Sequence, residues 1–575
     1  MSSRLFGPRP ASEAPVASGE REPAPALTTP PVSGSAGASG AGAFTRVVGV
    51  AIGMSMAIAT TYFVPSLAGL RPWIPGGDYL PFWNVVGREW LGEGRALEAE
   101  EARLAELPKR ARSELRWRAP APNAPVARDE VPGGAAHATS AAALEPIFPP
   151  YTPRDTEPVE VGIEQRGALD AYFRKLTLVD LGRPGAIART GHWGDSVLGV
   201  DGITSGIRRR LQRRFGDAGH GFHLMDRYHP AYLQQGVTFQ QVAPWERCFI
   251  VWDCRKNERR YGYGGLLAYS SGGAESAWST PKEGFGQSVT HFELWFARQE
   301  HGGRFEVVID GTRAESVDTR GPELEDAWFS VRVPAGPHSF RVRAAGRGSV
   351  RAYGVVLEND GPGVVWDGMA LVGGSTRGLR TQNPEHIARQ IRKRDPDLIA
   401  FMFGGNDLER NYVDLKQSMQ PYYDEYTDVL RRFRAGKPGL ACLIISPIDH
   451  GRRLPNGDIA PKAFLKPLVE AQREVARQTG CAFFDTYRAT GGEGTAARWF
   501  RARPRLISPD LGHPTEFGHE LIAELIAEAV LSGYEEYRAR MRGKPFPELA
   551  VEGASEPSAA PAEQRPAEPA LMPPH

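Results

Sequence analysis

Cysteine is scarce in this chain. Its 575 residues hold four, Cys248, Cys254, Cys442 and Cys481, and no two are spaced as a Cys-x-x-Cys pair. That excludes the usual thiolate zinc ribbon and the thioredoxin-type redox motif. No cluster of residues has the spacing of metal ligands either, so neither a metal nor another cofactor is expected. An excess of one charge is also missing. The formal net charge is +1, and no basic block of helical or RNA-binding type occurs, so nucleic acid is not an expected partner. Four cysteines are compatible with disulfides in an oxidising compartment but do not require them. Cys248 with Cys254, and Cys442 with Cys481, are each read as free thiols ahead of a bond, although the second two each open an expected strand.

What is present is enough for a large core: hydrophobic residues make up 41% and charged residues 24%, the balance of an ordinary globular protein. The length predicts two or three folded units. Residues 1–43 are mostly Pro, Ala, Ser and Gly and are expected to be disordered. Residues 44–70 contain an uncharged run from Val47 to Leu70. At about 1.5 Å per residue it is long enough to cross a hydrocarbon layer of roughly 30 Å. A transmembrane anchor is the expectation, which makes a membrane the partner of this helix. A cleaved signal peptide, with Ser66-Leu67-Ala68 as a small-x-small site, is the alternative. Either way the rest of the chain is expected outside the cytoplasm, facing the periplasm or cell wall. Residues 71–160 read as a spacer with a helical stretch broken at Pro108, and residues 541–575 as a disordered tail.

Residues 161–223 and 361–540 alternate short apolar runs with amphipathic ones, the pattern of an α/β unit built on about five parallel strands. Ile203, Ile207, Leu211 and Phe215 fall four apart on one helical face. Pro384 suits the first position of another helix. Between them, residues 224–360 change period. Runs such as SVTHFELWFAR and GRFEVVID alternate every second residue and predict an antiparallel β sandwich of jelly-roll character, inserted into the α/β unit.

Four short motifs each close an expected strand or precede an expected helix: Gly194-Asp195-Ser196, Gly373-Gly374, Gly404-Gly405-Asn406-Asp407 and Asp510-Leu511-Gly512-His513. Acyl transfer needs a nucleophile, a base, a carboxylate that orients the base, and donors for an oxyanion. The motifs supply one of each. Alone, Ser196 reads as a helix cap and Asn406-Asp407 as a turn; it is their order and placement together that carry the chemistry.

The set resembles the four signature blocks of the SGNH/GDSL hydrolases, across residues 161–223 and 361–535. The family's Leu after the serine is Val197 here. The resemblance implies a flavodoxin-like doubly wound sheet and a serine esterase. Ser196 would be the nucleophile, His513 the base and Asp510 its orienting carboxylate. The N–H groups of Ser196 and Gly374 and the side-chain amide of Asn406 would form the oxyanion hole. Asp195 is expected to hold loop backbone, and His519 to pack or lie at the surface. A β insertion between the first two blocks is similar to the layout of the peptidoglycan O-acetylesterases, which implies acetyl groups on a cell-wall polysaccharide as substrate. A transferase that passes acetyl to sugar, and an inactive glycan-binding scaffold, remain as alternatives. Tyr261, Tyr263 and Trp278 are candidates for stacking on sugar, the two tyrosines on an expected exposed loop, with Trp252 and Trp295 as further aromatics.

Overall fold

Five short apolar runs of the chain pair into one parallel sheet. In spatial order they are Gly363–Ala370, Ile187–Gly194, Leu398–Met402, Ala441–Ile445 and Ala482–Phe484. In chain order this is 2-1-3-4-5, the arrangement of flavodoxin-like folds, with its topological switch beside the first strand. Leu398–Met402 and Ala441–Ile445 are buried along their whole length, as strands covered on both faces must be. The register sets Gly194 level with Ala370 on one side and Met402 on the other. The loops that follow these three strands therefore leave the sheet side by side.

The structure, a computed structural model, describes Thr60, residues 146–152 and residues 159–549, apart from 253, 255, 257, 283–285 and 411–418. The expected anchor at 44–70 lies outside the described residues except for Thr60, as do the stretch 1–43, most of the spacer 71–160 and the tail from 550. Among the described residues no helix is long and apolar enough to cross a membrane.

Helices close both faces of the sheet. Gly202–Phe215 buries Ile203, Ile207, Leu211 and Phe215, the four residues whose spacing marked one face. The 26-residue helix Glu516–Met541 lies against it. Their approach is close enough that a Cβ on Gly206 would sit 2.5 Å from that of Ala523. Pro384 does begin a helix, capped by the Asn383 side chain, which accepts from the His386 N–H.

The antiparallel strands form a six-stranded and a five-stranded sheet. Phe292 of one and Phe340 of the other stack with centroids 4.3 Å apart, within a shared core. Antiparallel pairing begins at Gly219–Leu224, which pairs with Val350–Glu358, five residues ahead of the change in period. Arg394, on the helix after Asn383, joins the two kinds of sheet. Its guanidinium meets Asp367 of the parallel sheet at 2.8 Å and Glu358 of the antiparallel one at 2.5 Å, all three buried. Burial alone would raise the Glu358 carboxyl, but Arg394 and Arg189 hold it down to about 2.

The expectation of free thiols is corrected. Cys248 is bonded to Cys254 and Cys442 to Cys481. The parallel register that opposes Leu443 to Ala482 brings the second pair's Cα atoms to 4.8 Å, inside the range a disulfide spans.

Candidate active site

The three loops that leave the sheet together carry Ser196, the Gly373-Gly374 pair and Asn406. A fourth, between Arg501 and Glu516, brings Asp510 and His513 to the same edge. The Ser196 hydroxyl lies 2.7 Å from Nε2 of His513, and Nδ1 of that ring lies 2.8 Å from Oδ2 of Asp510. With Nδ1–H donating to the carboxylate, Nε2 is left as an acceptor for the serine proton; this tautomer is the one the two contacts jointly satisfy. The first and last motifs, separated by 317 residues of chain, are thus one chain of hydrogen bonds.

Local structure explains why each side chain is held. Asp195 is buried and accepts from the N–H groups of Val197 and Gly405, tying the serine turn to the Asn406 loop. Asp510 accepts from the N–H groups of both Gly512 and His513 through Oδ1, which leaves Oδ2 for the imidazole. Burial alone would raise this carboxyl, but those donors and the histidine ring outweigh it and hold it below the ordinary aspartate value. Leu511 between them has φ +61, and its carbonyl accepts from the Gly451 N–H, which anchors the loop. His519 packs, as expected: it is buried with its ring against Gly202, and burial lowers it to about 4.

The oxyanion donors differ from the expectation at one position. The N–H of Gly374 already donates to Leu371 O at 2.6 Å. Leu371 to Gly374 form a tight turn in which Gly373, at φ +78, takes the left-handed place that favours glycine. The turn consumes the donor that Gly374 was expected to offer. Its carbonyl instead accepts from Nδ2 of Asn406 at 2.7 Å. That amide has a second proton, and the Ser196 N–H has no acceptor among the described residues. These two donors remain for an oxyanion.

A cavity of about 150 Å³ opens beside the serine, lined among others by Ser196, Asn406, Ile448, His450, Lys462 and His513. It is well below the roughly 300–1,000 Å³ of pockets for drug-sized ligands, a size suited to a small acyl group. His450 and Lys462 were not singled out in the sequence. His450 follows the strand Ala441–Ile445 on the edge that carries the other motifs, and that placement was the available signal. It fits between two motif glycines, since a Cβ at Gly405 would lie 3.1 Å from its ring and one at Gly512 3.2 Å.

The expected sugar-stacking residues are corrected. Tyr261 is 7% exposed, and Tyr263 and Trp278 are each 1% exposed. The glycines that made RRYGYGG look like an exposed loop are there for close packing: a Cβ at Gly262 would lie 2.6 Å from that of Tyr353, and one at Gly264 2.4 Å from Leu224 Cδ2. Tyr263 packs edge-on against Trp193 and Phe222, and Trp278 against Phe239. Trp295 is buried as its alternation predicts, whereas Trp252 is 45% exposed.

The parallel 2-1-3-4-5 sheet thus carries a Ser–His–Asp chain at its carboxyl edge, the arrangement that acyl transfer through a serine uses. Residues 336–521 match the sequence signature of the GDSL-like Lipase/Acylhydrolase family. That span holds the glycine, asparagine and histidine motifs. Ser196 lies outside it, across the β insertion, and joins the others only in the fold. A GDSL lipase of Mycobacterium tuberculosis is 29% identical over 147 residues, 25% of this chain and 55% of that protein. The chain thus spans about half the length of this curated relative. A solved structure of a peptidoglycan O-acetylesterase superposes with a TM-score of 0.54 at 19% identity, covering 64% of this chain and 96% of that one, a likeness of fold.

Proposed function

We propose that this protein hydrolyses acetyl esters on an extracytoplasmic polysaccharide, peptidoglycan foremost, through Ser196, His513 and Asp510. The observation that carries the reading is the unbroken contact from Asp510 through His513 to the Ser196 oxygen at the mouth of a small cavity.

The chemistry follows from the geometry. Ser196 Oγ attacks the acetyl carbonyl as its proton passes to Nε2 of His513, and Asp510 stabilises the imidazolium that results. The carbonyl oxygen becomes an oxyanion that accepts from the Ser196 N–H and the second amide proton of Asn406. Collapse breaks the bond to the sugar oxygen, which leaves as the alcohol with the proton from His513. Water then gives a proton to His513 and attacks the acetyl-serine, releasing acetate and restoring the hydroxyl.

The substrate and place rest on three supports. The cavity suits a small acyl group, the fold resembles that of a solved peptidoglycan O-acetylesterase, and two disulfides suit an oxidising compartment. Membrane attachment through residues 44–70 belongs to the same proposal and rests on their uncharged apolar run. The test is acetate release from O-acetylated peptidoglycan by the wild type and by Ser196→Ala. Release by the wild type alone supports the reading. Sugar acetylation from an acetyl donor, with little free acetate, would favour a transferase.

A further inference from the structure

Immediately after the Gly373-Gly374 turn, the segment Thr376–Thr381 forms one wall of a second cavity, of about 500 Å³. Four arginines line it: Arg377 and Arg380 from that wall, Arg432 from the helix Gln420–Arg434, and Arg259 from the chain that enters between the antiparallel strands. Ser375 lines it too, one residue beyond the carbonyl that Asn406 holds. The basic cavity and the serine site therefore lie on either side of one turn.

Two carboxylates hold three of these arginines in place. Glu425 meets Arg377 at 3.4 Å and Arg380 at 3.3 Å. Asp428 meets Arg380 at 3.2 Å and Arg432 at 2.8 Å, and is shared with Arg431. Among the described residues, Glu425 and Asp428 thus pair with three of the four lining guanidinium groups. Arg259 makes no ion pair among the described residues, and its side chain lies in an exposed part of the chain. Its backbone has φ +56, in the left-handed region, and the Asn383 N–H donating to its carbonyl holds it there. The fork of a guanidinium is shaped for bidentate contact with an oxyanion, and Arg259 brings such a fork to the cavity beside three others.

We infer that this cavity binds an anionic group, carboxylate or phosphate, carried on the same glycan strand as the ester that Ser196 attacks. The inference deepens the esterase reading and rests on it for the identity of the strand: the substrate class becomes an acidic polysaccharide, held by its charge on one side of the turn and cleaved on the other. Asp428 holds Arg380 and Arg432 and Glu425 holds Arg377 at the cavity wall, and Arg259 reaches it from the opposite chain segment.

The test is calorimetric binding at low salt to the full chain carrying Ser196→Ala, so that no ester is turned over. Three probes separate the sources: muropeptides, whose anions are carboxylates; an oligomer of glycerol phosphate; and neutral chitotetraose. One anionic probe is expected to bind, chitotetraose at least tenfold more weakly, and Arg259→Gln/Arg377→Gln to weaken the anionic probe about tenfold or more, as the loss of charge-assisted hydrogen bonds does. The same double variant, with Ser196 restored, is expected to hydrolyse p-nitrophenyl acetate within about twofold of the wild type, which shows it folded. The inference is overturned if neither anionic probe binds, if the neutral probe binds as well, or if the double variant binds as the single one does. Failure of the esterase reading shows separately, as wild-type protein that leaves p-nitrophenyl acetate intact.

Discussion

Asn406 donates its side-chain amide to the Gly374 carbonyl at 2.7 Å, so the asparagine loop and the glycine turn are locked together. The donor that the proposed mechanism assigns to the oxyanion is thereby oriented, and one of its two protons is spent on holding the position. Preorganised donors of this kind give enzymes much of their rate.

Asn406→Ala is therefore expected to lower kcat for p-nitrophenyl acetate by on the order of 10²–10³-fold with a small change in KM. Asn406→Asp keeps the size and loses the donor, and should be no better. A variant that retains more than about a third of wild-type kcat would place the oxyanion elsewhere.

Asp510 does two jobs that substitutions separate. Asp510→Asn keeps an oxygen for the Gly512 and His513 N–H groups but no longer accepts from Nδ1–H. Its kcat should fall roughly 10³–10⁴-fold with little change in melting temperature. Asp510→Ala leaves both N–H groups without their acceptor and should lower the melting temperature as well. Equal melting temperatures for the two variants, measured calorimetrically, would contradict this division.

The motifs were legible because glycine, serine and asparagine at strand ends have few other uses in combination, and the parallel sheet followed from the alternation of strands with helices, whereas the flavodoxin-like arrangement came only with the family resemblance. What the sequence hides is which hydrogen bonds a turn consumes. Gly374 carries the expected residue type, yet its N–H closes the turn with Leu371. Glycines around Tyr263 read equally as loop or as close packing, and only the neighbours Tyr353 and Leu224 decide. His450 has no motif of its own, so its place in the cavity follows from the sheet rather than from its surroundings in the chain.

Asp407 makes stability depend on pH. It is buried beside Asp195 and accepts from the N–H and hydroxyl of Thr376. Burial, with the Asp195 charge adding to it, raises its carboxyl to about 7, against roughly 3.9 in an unfolded chain. Between these values the folded state keeps a proton the unfolded chain has lost, so this group's contribution to stability declines as pH rises from about 4 to about 7. Asp407→Asn, which cannot ionise, should show a melting temperature less dependent on pH over that interval. Parallel curves for the two proteins would rule the effect out.

The two disulfides should differ in weight. Cys442–Cys481 closes 39 residues of separation and Cys248–Cys254 only six. Loop-closure entropy then assigns the first about 4 kcal/mol and the second about 2 kcal/mol. Urea unfolding of the Cys442→Ala/Cys481→Ala and Cys248→Ala/Cys254→Ala variants checks the order; a larger loss from the short loop would refute it.

The nucleophile itself is open to direct inspection. Exposure to a fluorophosphonate ester followed by peptide mass mapping should find one label per chain, on Ser196. The label should be absent from Ser196→Ala and form far more slowly on His513→Ala. A label on another residue, or none on protein that still cleaves p-nitrophenyl acetate, would contradict the account.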